Sequence, residues 1–214
     1  DDLKISTKEI KIKDLISLTR AVKGSPQLFV LDNITKAGSI SANINLMFDL
    51  DGEIKKNYQI NGAVKKAKFN IFNQVEIDNL NLSFNISNNQ LTLSKIETDL
   101  NSIKLKSPLI KIEEKKNIFF INGKVINDQQ NFDINKLKPM LGDLLNNIEI
   151  EKIDFNSVNT FSFNVNKKLK LNDLKLETNI NLENFEIVKN PLNLKSFLPN
   201  YTEQVKFEDH KIKI

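Results

Sequence analysis

The residues able to do chemistry are few in this chain, and they are scattered. His210 is the only histidine, and it lies among charged residues in a C-terminal alternating stretch. No Ser-His-Asp set assembles around it, and no G-x-S-x-G motif is present. Carboxylates sit side by side at Asp1-Asp2, Glu113-Glu114 and Glu208-Asp209. Neighbouring residues of a strand point to opposite faces, so none of these pairs forms an acid/base dyad. Asp49 and Asp51 could ligate calcium weakly, but they flank Gly52 in a tight-turn pattern, and the turn accounts for them. Gly52, Gly62 and Gly123 are isolated, so no phosphate-binding loop is built. The absence of cysteine removes disulfides, thiolate catalysis and sulfur-ligated metals together. The sequence therefore reads as a non-enzyme with no catalytic residue, metal site or cofactor.

Charge excludes a further class. The 31 basic residues are interspersed with 27 acidic ones, and Arg20 is the only arginine. Nucleic-acid proteins concentrate arginine and lysine into patches with stacking aromatics, and no such patch exists here. The lysines read as a solvated sheet face. Mean hydropathy is -0.33 and no window carries the roughly 20 apolar residues of a membrane-spanning helix.

What the sequence has in abundance is alternation. Ile40, Ala42, Ile44, Leu46, Phe48 and Leu50 occupy every even position, and Asp51-Gly52 closes the run with a turn. Even parity resumes through Tyr58, Ile60, Gly62 and Val64, then changes phase into Phe69 and Ile71. Leu80, Leu82, Phe84 and Ile86 alternate with Asn81, Ser83 and Asn85, and after Ser87-Asn88-Asn89-Gln90 the pattern returns with Leu91 and Leu93. Ile103, Leu105, Ile110 and Ile112 continue it, and residues 118–126 form a denser apolar strand. The last third repeats the style with Phe161, Phe163, Val165, Leu169, Leu171, Leu174 and Leu176. Period two with short links predicts an all-β, mainly antiparallel meander with one apolar face.

Two stretches depart from period two and predict short amphipathic helices. Over residues 14–23, Leu15, Leu18 and Val22 share a helical face, with Asp14 as N-cap, Gly24 as stop and Pro26 just beyond. Over residues 134–145, Ile134, Leu137, Leu141, Leu144 and Leu145 do the same, with the regular helix starting near Pro139. Ile60-Asn61-Gly62-Ala63-Val64 returns as Ile121-Asn122-Gly123-Lys124-Val125, an interval with room for about five strands. Without a linker, residues 1–214 read as a single domain with a repeat seam near 128–148. The ends, charged Asp1-Asp2 and the strand-like His210-Lys211-Ile212-Lys213-Ile214, read as those of a segment of a longer protein.

An apolar face must be covered, at about 25 cal/mol per Å². Two packed sheets, a closed barrel, or a curved sheet folded around a foreign apolar molecule would each do so. Glycine and proline are scarce, at 6 and 5, and 14 phenylalanines face no tryptophan and two tyrosines. Such an interior is hydrocarbon and phenyl, as suits an unselective acyl-chain slot or an ordinary core.

The I-N-G-x-V cadence followed by strands and a hairpin, together with residues 159–176, the phrase Phe197-Leu198-Pro199-Asn200-Tyr201 and residues 210–214, resembles the AsmA-like superfamily. The resemblance covers most of residues 36–214 and is nearest in style to its YhdP-type and TamB-type members. It implies a curved open β-groove of repeated meanders, crossed or capped by the two helices. It further implies a periplasmic, inner-membrane-anchored bridge, in the envelope of a Gram-negative bacterium, carrying phospholipid or another acyl lipid toward the outer membrane. Ile40, Ile44, Leu46, Phe48, Ile60, Val64, Leu80, Leu82, Phe84, Ile86, Leu91, Leu93, Ile103, Leu105, Phe161, Phe163, Val165, Leu169, Leu171, Leu174 and Leu176 would then line the groove. Neighbouring repeats would pair its edges and membranes would meet its ends. The alternative expectation is a structural or adhesive β-sandwich that binds a protein partner and carries no lipid.

Overall fold

The computed structural model describes residues 2–128 apart from 23, 54, 56 and 72–74, and then 149–168, 170–189 and 205–213. Among the described residues, eleven strands form one antiparallel sheet. They are β1 (Asp2–Ser6), β2 (Ile10–Lys11), β3 (Thr35–Met47), β4 (Gln59–Ile71), β5 (Val75–Ser87), β6 (Gln90–Leu100), β7 (Ile103–Lys115), β8 (Ile118–Asn127), β9 (Glu149–Asn166), β10 (Leu171–Lys189) and β11 (Val205–Lys213). Apart from β2, which pairs with β3, they lie side by side in the order β1-β3-β4-β5-β6-β7-β8-β9-β10-β11. The sheet is antiparallel, as the alternation predicts, and it is open and curved, as the resemblance implies.

Tight turns hold this meander together. Asn88-Asn89, Asn101-Ser102 and Lys116-Asn117 each link two strands, and both residues of the last two pairs have positive φ. That is the type I′ geometry whose twist matches the right-handed twist of the flanking strands, and asparagine tolerates it. The phase change seen in β4 has a local cause. Lys66 has φ 48° and the register shifts between Val64 and Ala67, so the strand carries a bulge that returns Ala67, Phe69 and Ile71 to the face of Val64. Asn79 in β5 and Lys95 in β6 have positive φ at their own register shifts, and a further shift falls between Lys106 and Ile110 of β7. These irregularities lie on neighbouring strands, and each bends and twists its strand, which curves the sheet along a common seam.

The helices differ from expectation. The first, α1, spans Ile12–Val22, so Asp14 lies inside its first turn instead of capping it. A second helix, α2 (Pro26–Ile34), follows immediately. Pro26 begins it, at a position where a missing N–H costs nothing, and Ser25 caps it by accepting from Leu28 N at 3.2 Å. The predicted apolar stripe of α1 points outward: Leu15, Leu18 and Val22 are exposed, while Ile16 is buried. The helix expected over residues 134–145 lies outside the described residues. The short strand β1 was not anticipated in the charged N-terminal stretch. Asp49 Oδ1 accepts from Asp51 N and Glu53 N at 3.0 and 2.9 Å, which closes the turn after β3 and leaves Leu50 in the turn, past the strand.

Candidate functional site

The candidate site is the apolar face, and the registers show how it is assembled. Directly paired residues of an antiparallel sheet share a face. Ile5, Ile44, Ile60, Ile86, Leu91, Ile112, Ile121 and Phe163 pair successively across eight strands. Strand spacing makes this row about 34 Å long. Two residues along each strand lies a second row: Ala42, Gly62, Phe84, Leu93, Ile110, Gly123, Phe161 and Leu176. The two rows run about 7 Å apart, perpendicular to the strands. The opposite face carries a polar row between them, with Asn43, Asn61, Asn85, Thr92, Lys111, Asn122, Ser162 and Lys175 in register. Ser6 Oγ donates to Asn43 Oδ1 at 2.7 Å, and Asn85 donates to Asn61.

The other expected lining residues take several positions. Ile40, Val64 and Leu82 form a third row, and Leu46 pairs with Leu3 of β1. Val165 and Leu171 pair beyond the first row, and Leu174 sits at a bulge where Asp173 has φ 53°, beside Phe163. Leu80 pairs with Ala67 past the bulge of β4. Phe48 lies just beyond β3, and Leu169 lies outside the described residues. Ile103 is buried, with Leu105, Ile153 and Phe155 packed on it, so that end of the face is a small closed core.

Both glycines of the repeated I-N-G-x-V phrase fall in the second row, each opposite a phenylalanine of the following strand: Gly62 pairs with Phe84 and Gly123 with Phe161. A Cβ at Gly62 would come within 2.3 Å of the Phe84 ring, and one at Gly123 within 2.9 Å of the Phe161 ring. Each ring therefore lies over bare backbone and keeps the row low. Phe161 and Phe163 stack with centroids 5.9 Å apart. Sequence reading caught the repeated phrase but not the aromatic partner, because that pairing is set by register. From the first copy to the second the chain runs through β4, β5, β6, β7 and β8, five strands counting both ends.

No second layer of the described residues covers these rows. Among the described apolar residues only Ile16, Ala67, Ile96 and Ile103 are buried, whereas Leu171, Leu174 and Leu176 are 49, 59 and 60% exposed. A large apolar side chain gains about 1.5–3 kcal/mol when fully removed from water, and this face leaves much of that unrealised. Its chemistry is dispersion and dehydration.

A cavity of about 600 Å³ lies among Lys111, Asn122, Lys124, Ser162, Lys175 and Glu177, chiefly on the polar face. Its lysines are exposed and spread over three strands, so no compact anion site results. No group of three metal-ligating side chains and no helix long and apolar enough to cross a membrane occurs among the described residues. His210 lies in β11 at the register position of Leu182. Comparisons with family models, curated proteins and solved structures find no match to this chain.

Proposed function

We propose that this sheet is a length of lipid conduit, in which the apolar rows replace water around acyl chains while headgroups stay at the solvent-facing opening. The observation that supports this most directly is the pair of continuous apolar rows crossing eight strands on a face with little protein cover. Burying a tail is worth about 0.8 kcal/mol per CH₂, and a uniform row offers similar contacts at each step, so sliding costs little. Soluble monomers rarely leave contiguous apolar patches of more than a few hundred Å² in water, and acyl chains lying along the rows would cover this face. In the setting implied by the resemblance to AsmA-like proteins, the segment belongs to a periplasmic, inner-membrane-anchored bridge. Phospholipid moves along it toward the outer membrane, and neighbouring repeats of the chain pair the edges at β1 and β11.

The test is mass spectrometry of organic extracts from purified protein, with Leu171→Asp beside the wild type. Leu171 is 49% exposed, so its substitution should leave the thermal transition within a few degrees. Co-purifying phospholipid in the wild type, reduced in a folded Leu171→Asp, supports the conduit. A photoreactive residue at position 163 should crosslink labelled lipid. Extracts free of lipid, with no crosslink, would favour the reading of a β scaffold for a protein partner.

A further inference from the structure

The apolar face is not uniform along its length. Past the second row, β3 to β6 continue with Ile40, Val64, Leu82 and Ile96 and β8 with Val125, whereas Ser107 of β7, Asn159 of β9 and Thr178 of β10 take the corresponding places. One step further, Asn127 of β8 pairs with Ser157 of β9. Along β9 the same face therefore reads Phe163, Phe161, Asn159, Ser157, Phe155: apolar at both ends and polar in the middle. None of these polar groups is charged.

Their hydrogen bonds are partly spent. Asn159 Nδ2 donates to Ser157 Oγ at 3.1 Å and to Val125 O at 3.4 Å, and Asn127 Nδ2 donates to Phe155 O at 3.3 Å. Ser107 Oγ is buried and has no partner among the described residues. A buried hydroxyl without a partner is rare and costly, and a bound group that accepts its proton removes that cost.

We infer that the strip Ser107, Ser157, Asn159 and Thr178 is a subsite for the neutral linkage of a lipid, the ester or amide that joins tail to headgroup. The inference rests on the conduit reading and sharpens it. Tails lie in the first two rows, and the linkage turns toward the strip, where hydroxyls donate to its carbonyl and Asn159 Oδ1 accepts from an N–H or O–H. The lack of charge there leaves the headgroup to solvent. A tail without a linkage gains nothing from the strip.

The experiment measures displacement of a fluorescent polyene fatty acid from the purified chain by a diacyl phosphatidylglycerol and by its dialkyl ether analogue, which lacks the carbonyls. The wild type should release the probe at roughly five- to tenfold lower concentration of the ester lipid, the worth of one or two hydrogen bonds. In Ser157→Ala combined with Asn159→Val, and separately in Thr178→Val, the ester and ether curves should draw together without weakening of the ether lipid. Thermal melts confirm that each variant is folded. Equal displacement by the two lipids in the wild type, or an ester preference that survives both variants, overturns the subsite and leaves the conduit standing. Failure of the chain to take up the probe or either lipid removes the conduit reading, and the subsite with it.

Discussion

Ile60-Asn61-Gly62-Ala63-Val64 in β4 and Ile121-Asn122-Gly123-Lys124-Val125 in β8 put their isoleucines in one row and their glycines in the next, and each glycine meets a phenylalanine of the following strand. Their surroundings differ. Val64 pairs with Leu82, but Val125 pairs with Asn159. The space beside Gly62 is bounded by the Ser41 carbonyl as well as by Phe84, whereas the nearest atoms at Gly123 belong to the side chains of Ile110 and Phe161. The strands after the first copy are half-buried on the apolar face, and Leu174 and Leu176 after the second are exposed. The five-residue phrase thus sets the row and the low point under a ring. The width of the apolar strip is decided by strands that the phrase does not contain.

This contrast gives the largest predicted effect. In Gly62→Ala the new methyl would meet Ser41 O at 2.3 Å, and a backbone carbonyl cannot step aside alone, so the strands must separate. We expect a loss of about 3 kcal/mol in urea unfolding, at the upper end for overpacking. In Gly123→Ala the closest atoms are Ile110 Cγ1 and Phe161 Cζ, both at 2.9 Å, and side chains can rotate. About 1 kcal/mol is expected there, reduced by the entropy that alanine saves in the unfolded chain. Equal losses at the two sites would remove the distinction between the copies.

Removing the rings comes next in size. Phe84 and Phe161 are half-buried, so truncation to alanine should cost about 2 kcal/mol each, below the 3–5 kcal/mol of a fully buried phenylalanine. Combining truncations with the glycine changes separates the copies. Phe161→Ala should absorb about half of the penalty of Gly123→Ala, because it removes one of the two clashing side chains and leaves Ile110 Cγ1 at 2.9 Å. Phe84→Ala should rescue Gly62→Ala only in part, because Ser41 O stays where it is. A double-mutant cycle with no coupling at Gly123 would contradict the packing described.

Much of this architecture was legible in the sequence, because period two writes the faces of a sheet directly into the order of residues. The hairpin at Asn88-Asn89, the even-parity rows of β3 to β5 and Leu91 and Leu93 of β6 needed nothing more. The phase change after Val64 was visible, and its cause, a bulge at Lys66, is local. Comparable slips at Asn79 and Lys95 were passed over because one polar residue hides each of them. Helix α2 was missed for a specific reason: Pro26 after Gly24 reads as a stop, yet Ser25-Pro26 is also a cap followed by a first-turn proline. Cross-strand partners were not legible. Which phenylalanine covers which glycine depends on turn lengths and bulges summed over intervening strands, and single-strand patterns contain no such sum.

The smallest predicted effect lies beside the first copy and has no counterpart at the second. Lys65 follows Val64 and pairs with Glu9, which also accepts from Ser39 Oγ at 3.4 Å, whereas the residue after Val125 is Ile126. The hydrogen bond and positive charge of Lys65 hold the Glu9 carboxyl below its ordinary value. A carboxylate lowered on folding stabilises at pH above its unfolded value, and that contribution disappears as pH falls through the folded value. Both partners are more than half exposed, so the contribution is small and screened by salt. Glu9→Gln should therefore melt slightly below the wild type at neutral pH and low salt, and the gap should close as the pH is lowered through the acid carboxylate range. A gap that persisted at the acid end, or that ignored salt, would mean that Glu9 acts through packing of the β2 segment and not through its charge.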